Sequence, residues 1–147
     1  MHVVQLTNPQ ALQNEGVRAL FRKALAHSIN TPDGFDAVVD DVIGMVGNPQ
    51  VGIFVGVENA EYKGLVIVTL PGGKITPLPQ VICFYSEGKP ALKNAMINSF
   101  VGFIINAGYT TFLAINNSGR SDAVWARAFR TAGKAKKVSS IAKFEIG

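Results

Sequence analysis

The chain has 147 residues, 48% of them apolar and 16% charged, with a formal net charge of +4. That length and composition suit a single packed domain over residues 1–147 and exclude a disordered chain. The one cysteine, Cys83, excludes an intrachain disulfide and a cysteine-built metal cluster.

The opening MHVVQLTN has neither a basic start nor an apolar stretch, so no signal peptide is expected. His2 to Leu6 reads as a short strand closed by Asn8-Pro9. Leu12, Val17, Leu20, Phe21, Ala24 and Leu25 recur with a helical period over residues 10–28, with Asn8 as cap and Pro9 at the first helical position. Thr31-Pro32-Asp33-Gly34 is a turn. Phe35, Val38, Val39, Val42, Ile43 and Val46 mark a second helix that stops near Gly47-Asn48-Pro49.

Val51–Val57 and Leu65–Leu70 are strands rich in valine and isoleucine, and residues 58–63 join them at hairpin length. A proline- and glycine-rich link follows. Val81–Tyr85 is a strand in which Cys83 reads as a buried, inert thiol. A long helix covers Pro90 to Ala107, and Gly108 ends it. Thr111–Ile115 is the next strand, residues 116–119 a loop, and residues 123–132 a helix capped by Ser121 or Asp122 and closed by Gly133. Residues 138–146 form a last strand. The order is β-α-α-β-β-β-α-β-α-β, with no internal repeat. It predicts an α/β or α+β fold, a central mixed sheet flanked by helices. No apolar run reaches the ~20 residues that span a bilayer, so no membrane partner is expected.

Three features bear on chemistry. The strand at Val81 runs through Ser86-Glu87-Gly88-Lys89 almost directly into a helix, whose first amides lack partners and whose dipole is positive at that end. Asn116 and Asn117 follow a strand end, where loop residues often bind ligands. The charge is uneven: residues 1–119 hold seven basic and eight acidic residues, whereas residues 120–147 hold seven basic residues against Asp122 and Glu145. That tail, with Arg127 and Arg130 interleaved with Trp125 and Phe129, is either a solvated surface and core helix or a face for phosphates, nucleic acid or an acidic partner. Asp40, Asp41 and Glu61 read as solvated polar faces and turns. His2 and His27 form no metal motif with a local carboxylate.

The element order resembles that of the GNAT N-acetyltransferases over nearly the whole chain. Gly88 matches the family's phosphate-binding turn, Gly64 its glycine opening the preceding strand, and Gly133 its last-helix glycine. Glu87, Pro90 and Leu92 depart from the turn pattern, and Phe129 takes the place of a proton-donating tyrosine. The resemblance implies acetyl-CoA or another acyl-CoA as donor and an unknown amine as acceptor. It implies that the backbone of Val81, Ile82, Cys83 and Phe84 holds the pantetheine arm. Gly88 and Lys89 would hold the diphosphate, with Asn117 and Phe129 also beside the donor. Tyr85 or Ser86 would supply a hydroxyl proton, and Glu58 would take the amine proton through water. Residues 121–133 also look like those of small GNAT-like proteins encoded by tailed phages. Two alternatives stay open: a catalytically inactive GNAT-fold structural or assembly component, of a phage particle or a homo-oligomer, and a basic nucleic-acid-associated protein. Residence in the cytoplasm, or in a virion for a phage protein, is expected.

Overall fold

A computed structural model describes residues 1–28, 41, 42, 44–71, 78–114, 127 and 129. Five strands form one sheet in the order β1 (His2–Gln5), β2 (Val51–Glu58), β3 (Glu61–Thr69), β4 (Gln80–Ser86), β5 (Leu113–Ala114). The first four are antiparallel in sequence, and β5 runs parallel to β4, with Gln80 opposite Leu113 and Val81 opposite Ala114. Parallel neighbours need a crossover, and the helix α2 (Pro90–Asn106) supplies it. Helix α1 (Glu15–Ser28) lies on the other face. This is the mixed, helix-flanked sheet that the sequence predicts. Of the expected second helix, Asp41 and Val42 are described as helical, and Gly44–Gly47 form turns rather than its last residues. Arg127 and Phe129 are helical. The final strand, Asn116 and Asn117 lie outside the described residues.

Alternation along β2 and β3 sorts the core into two halves. Ile53, Val55, Leu65 and Ile67 face α1, which presents Val17, Leu20, Phe21, Ala24 and Leu25 at helical spacing. Phe54, Val66 and Val68 face α2, where Leu92, Met96, Ile97, Phe100, Val101 and Ile104 are buried. Helix α2 ends as expected at Gly108, whose φ is 92°. The amide of Gly108 bonds the Ile105 carbonyl and that of Tyr109 the Ile104 carbonyl, a Schellman pair.

Three local readings need correction. Asn8 caps only a 3₁₀ turn (Pro9–Gln13), its side chain accepting from the Gln10 amide at 3.0 Å. The helix proper starts at Glu15, where the Asn14 side chain accepts from the amides of Gly16 at 2.8 Å and Val17 at 3.4 Å. The β2–β3 connection is not a long join but a two-residue turn, Asn59-Ala60, with φ of 53° and 61°. Polar Glu61 and Lys63 concealed the start of β3. Thirdly, β4 is not regular. Ile67 pairs with Cys83 but Val68 pairs with Val81, so Ile82 is a bulge. Ile82 and Cys83 therefore both face the α1 side, between Val81 and Phe84 on the α2 side.

Helix α2 approaches the sheet over glycines. Gly56 and Gly64 are cross-strand partners. A Cβ on Gly56 would stand 3.0 Å from both Leu92 Cδ1 and Met96 Sδ, and one on Gly64 would collide with Met96. Overpacking a core costs roughly 1–3 kcal/mol, so Gly64→Ala is expected to lower stability by about that amount in urea unfolding. No change would mean that Met96 swings clear without loss. In the hairpin, a left-handed alanine costs about 1–2 kcal/mol, of which glycine's greater freedom when unfolded returns about 0.5–1. Ala60→Gly is therefore expected to stabilise the fold by about 0.5–1 kcal/mol, read as a higher urea midpoint at unchanged slope.

Candidate functional site

The end of β4, the β2–β3 hairpin and the start of α2 meet at one corner. The sheet register brings them there: Ser86 pairs with Gly64, and the Glu87 amide continues onto the Lys63 carbonyl at 2.8 Å. Lys89 is the N-cap of α2 and makes no side-chain capping bond, and Pro90 occupies the first turn without an amide proton to place. The Leu92 and Lys93 amides both reach the Lys89 carbonyl.

The remaining turn amides are held by side chains. Ser86 Oγ accepts from the Gly88 amide at a long 3.4 Å. Glu58 Oε2, at the end of β2, accepts from the Lys89 amide at 3.0 Å. A Cβ on Gly88 would lie 2.9 Å from that oxygen and 2.6 Å from Leu92 Cδ2. Gly88 is therefore small because a carboxylate and a leucine both press on it. The turn has been shaped around an anionic oxygen, which is what a phosphate would present there. Here the oxygen belongs to Glu58. The turn amides, Gly88 and the Lys89 side chain fit a diphosphate in chemistry, and the Lys89 amide is held by Glu58.

The second carboxylate of the turn points elsewhere. Glu87 Oε2 accepts from the Tyr85 hydroxyl at 2.7 Å and pairs with Lys23 Nζ of α1 at 3.6 Å. Burial first, then the bond to Glu87, pushes the Tyr85 phenol up to about 12. A phenol so held keeps its proton at neutral pH and makes a poor acid. Nearby, Lys63 Nζ bonds Glu61 Oε2 at 2.9 Å, which holds the Glu61 carboxyl below its ordinary range and the lysine above its own. Lys89 and Lys93 form no ion pair among the described residues. An open cavity of about 370 Å³ lies beside this corner, bordered by Gly16, Leu20, Lys23, Glu61 and Tyr62.

The structure thus gathers Glu58, Tyr85, Ser86, Gly88 and Lys89 at one corner. It does not bring Phe129 there. Phe129 is 7% exposed and lies in the core against α2. Its ring meets those of Phe84, Phe100 and Phe112 edge-on, with centroids 5.8–6.1 Å apart. The side chains of Val81 and Cys83 are buried as well; Cys83 has only backbone to offer, and Val81, expected to hold the pantetheine arm, is instead paired with Val68 on one side and Ala114 on the other. Beyond Val81, no strand among the described residues pairs with the β5-side edge of β4. Lys23 and Lys63 were missed in the sequence; an exposed helix lysine and a strand-end lysine carry no signal until the fold brings them to Glu87 and Glu61. Among the described residues no group of three histidine, cysteine, aspartate or glutamate side chains could hold a metal, and no helix is long and apolar enough to cross a membrane.

No protein-family model and no curated protein matches the sequence. Solved structures do match, and those compared are acetyltransferases. A probable acetyltransferase aligns over 100% of this chain and 99% of its own, with a TM-score of 0.70 and 11% identity. An aminoglycoside 6'-N-acetyltransferase from Acinetobacter haemolyticus aligns over 100% and 99%, at 0.66 and 8%. A ribosomal-protein-alanine N-acetyltransferase from Brucella melitensis biovar Abortus 2308 aligns over 100% and 99%, at 0.61 and 15%. The chain has the GNAT fold of these acetyltransferases.

The Tyr85–Glu87 contact can be tested by titration. Glu87→Gln removes the charge that favours the neutral phenol, so the Tyr85 pKa is expected to fall from about 12 yet stay above 10, because burial is the larger cause. Ultraviolet difference titration against Tyr85→Phe reads it. The folded value lies above the unfolded one, so this contribution to stability is full below about pH 10 and is lost as pH rises to about 12.

Proposed function

We propose that this protein is an acyl-CoA-dependent N-acyltransferase, moving an acetyl or other acyl group to an amine. The observation that carries the reading is the β4–α2 junction. A bulged strand ends in a turn whose Lys89 amide already binds an anionic oxygen, in a chain that follows the N-acetyltransferase fold from end to end. In this reading the backbone of β4 beyond Val81, which is itself paired with Ala114, holds the pantetheine arm. The Gly88 and Lys89 amides, with the Lys89 and Lys93 ammonium groups, hold the diphosphate. The acceptor amine attacks the thioester carbon; the nitrogen–carbon bond forms and the carbon–sulfur bond breaks. The amine gives a proton to water, and the thiolate takes one from solvent.

Two observations set the rate. Phe129 has no proton to give and is buried, and the Tyr85 proton is committed to Glu87. Lack of a general acid typically costs about 10²–10⁴-fold, so transfer is slow. The same two observations favour a second reading: a GNAT-fold protein that has lost transfer and serves as a binding or assembly component. Cytoplasmic residence follows from the first reading, because acyl-CoA is a cytoplasmic metabolite.

Calorimetry with acetyl-CoA separates these. Saturable binding is expected, and Lys89→Glu should weaken it about 10- to 100-fold, since one charge-assisted phosphate contact is worth roughly 1.5–3 kcal/mol. Absence of both heat and a thermal shift would reject the acyl-CoA reading. Acceptors to try follow from the neighbours: an aminoglycoside, and a peptide with N-terminal alanine. Binding without transfer to either would favour the second reading.

A further inference from the structure

We infer that Glu58 is a displaceable occupant of the diphosphate seat, so that the donor must evict a carboxylate of the protein itself in order to bind. The inference rests on the acyl-CoA reading above and concerns what this chain's own residues do to that affinity.

The two carboxylates at the turn are held very differently. Glu87 is engaged by the Tyr85 hydroxyl and by Lys23, which hold its carboxylate at other partners than the turn amides. Glu58 makes one bond, to the Lys89 amide, and no ion pair among the described residues. A single bond to a backbone amide at a partly exposed corner is the easier one to exchange. Eviction is also sterically necessary. The carboxylate oxygen lies so near Gly88 that a mere Cβ would stand 2.9 Å away, so Glu58 and a phosphate cannot share the space above that glycine. The hairpin end that carries Glu58 is exposed at Asn59 and Ala60, which leaves room for the side chain to swing out to solvent. Lys89 and Lys93, which form no ion pair among the described residues, then meet the incoming phosphates. While Glu58 is in place, the seat is filled, the α2 dipole is satisfied and the like charge repels a diphosphate.

The prediction is specific in sign. Removing a residue from a binding site ordinarily weakens binding, whereas removing a built-in competitor strengthens it. Glu58→Gln keeps a neutral acceptor near the Lys89 amide and so preserves the local fold. Wild type and variant would be titrated calorimetrically with coenzyme A, with inorganic pyrophosphate and with pantetheine, which lacks the diphosphate. The variant is expected to bind coenzyme A and pyrophosphate about tenfold more tightly, the scale of one charge-assisted bond no longer in competition. Pantetheine affinity should not change. The Lys89 amide resonance should also move on substitution. Glu58→Asp, too short to reach the amide, should tighten binding in the same direction. Equal or weaker coenzyme A binding by Glu58→Gln, with wild type binding normally, would show a fixed structural cap and overturn the inference while leaving the acyl-CoA reading intact. An unmoved Lys89 resonance would overturn it independently. If neither protein binds coenzyme A or pyrophosphate, the acyl-CoA reading falls and this inference falls with it.

Discussion

Leu92 touches the places where two glycines lack side chains, and the candidate site depends on that contact. One is Gly56 on β2, the other Gly88 in the turn after β4. Leu92 and Met96 fill the trough over the Gly56–Gly64 pair, which lets the first turns of α2 descend onto the sheet. The helix N-terminus is thereby fixed against the end of β4 and within reach of the hairpin that carries Glu58. A side chain at either strand glycine would lift α2, and the Lys89 amide would lose its position relative to Glu58. Core packing and the anion-accepting turn are therefore one constraint seen from two sides.

The charges at this corner are arranged by the same geometry. Glu58, Glu61 and Glu87 face Lys23, Lys63, Lys89 and Lys93 in a small area drawn from α1, the hairpin and the start of α2. Glu61 with Lys63 and Glu87 with Lys23 are exposed or half-exposed pairs. Such pairs contribute little stability by themselves. Their consequence is local: they consume two carboxylates that would otherwise oppose a phosphate. What remains is one carboxylate on a backbone amide and two ammonium groups, Lys89 and Lys93, with no ion pair among the described residues.

The likeness to acetyltransferases at 8–15% identity has a physical basis. A sheet of this order needs alternating apolar residues on its strands, small residues where a helix lies close, and a β-α-β crossover of the right length. Many sequences meet those demands. Chemistry is more exacting, and it is in the chemical positions that this chain departs. A phenyl ring buried among Phe84, Phe100 and Phe112 stands at position 129, and a tyrosine on β4 has its proton engaged by a neighbour. The fold is kept by packing, which constrains the side chains at these two positions only by size and burial.

Periodicity was enough to read the strands at Val51 and Val81, the helix from Pro90, the body of the first helix though not its start at Glu15, a strand in 111–115 of which Leu113–Ala114 is paired, and the parallel neighbours that a β-α-β unit requires. It was enough because apolar spacing is a local property of the chain, and Gly108 and Gly88 are local punctuation. The resemblance also marked Glu58, Tyr85, Ser86, Gly88 and Lys89 before any coordinates placed them together. The bulge at Ile82 left no trace, since Val81, Ile82, Cys83 and Phe84 are all apolar and alternation among them cannot be seen. The polar start of β3 hid a two-residue turn inside a longer stretch. The i, i+4 pair Trp125 and Phe129 could be read as core from its spacing, but that Glu58 would sit on the Lys89 amide and that Lys23 would cross from α1 to Glu87 were decided by the tertiary structure alone. Each joins residues far apart in sequence, and only strand register and helix docking determine which of them share a corner.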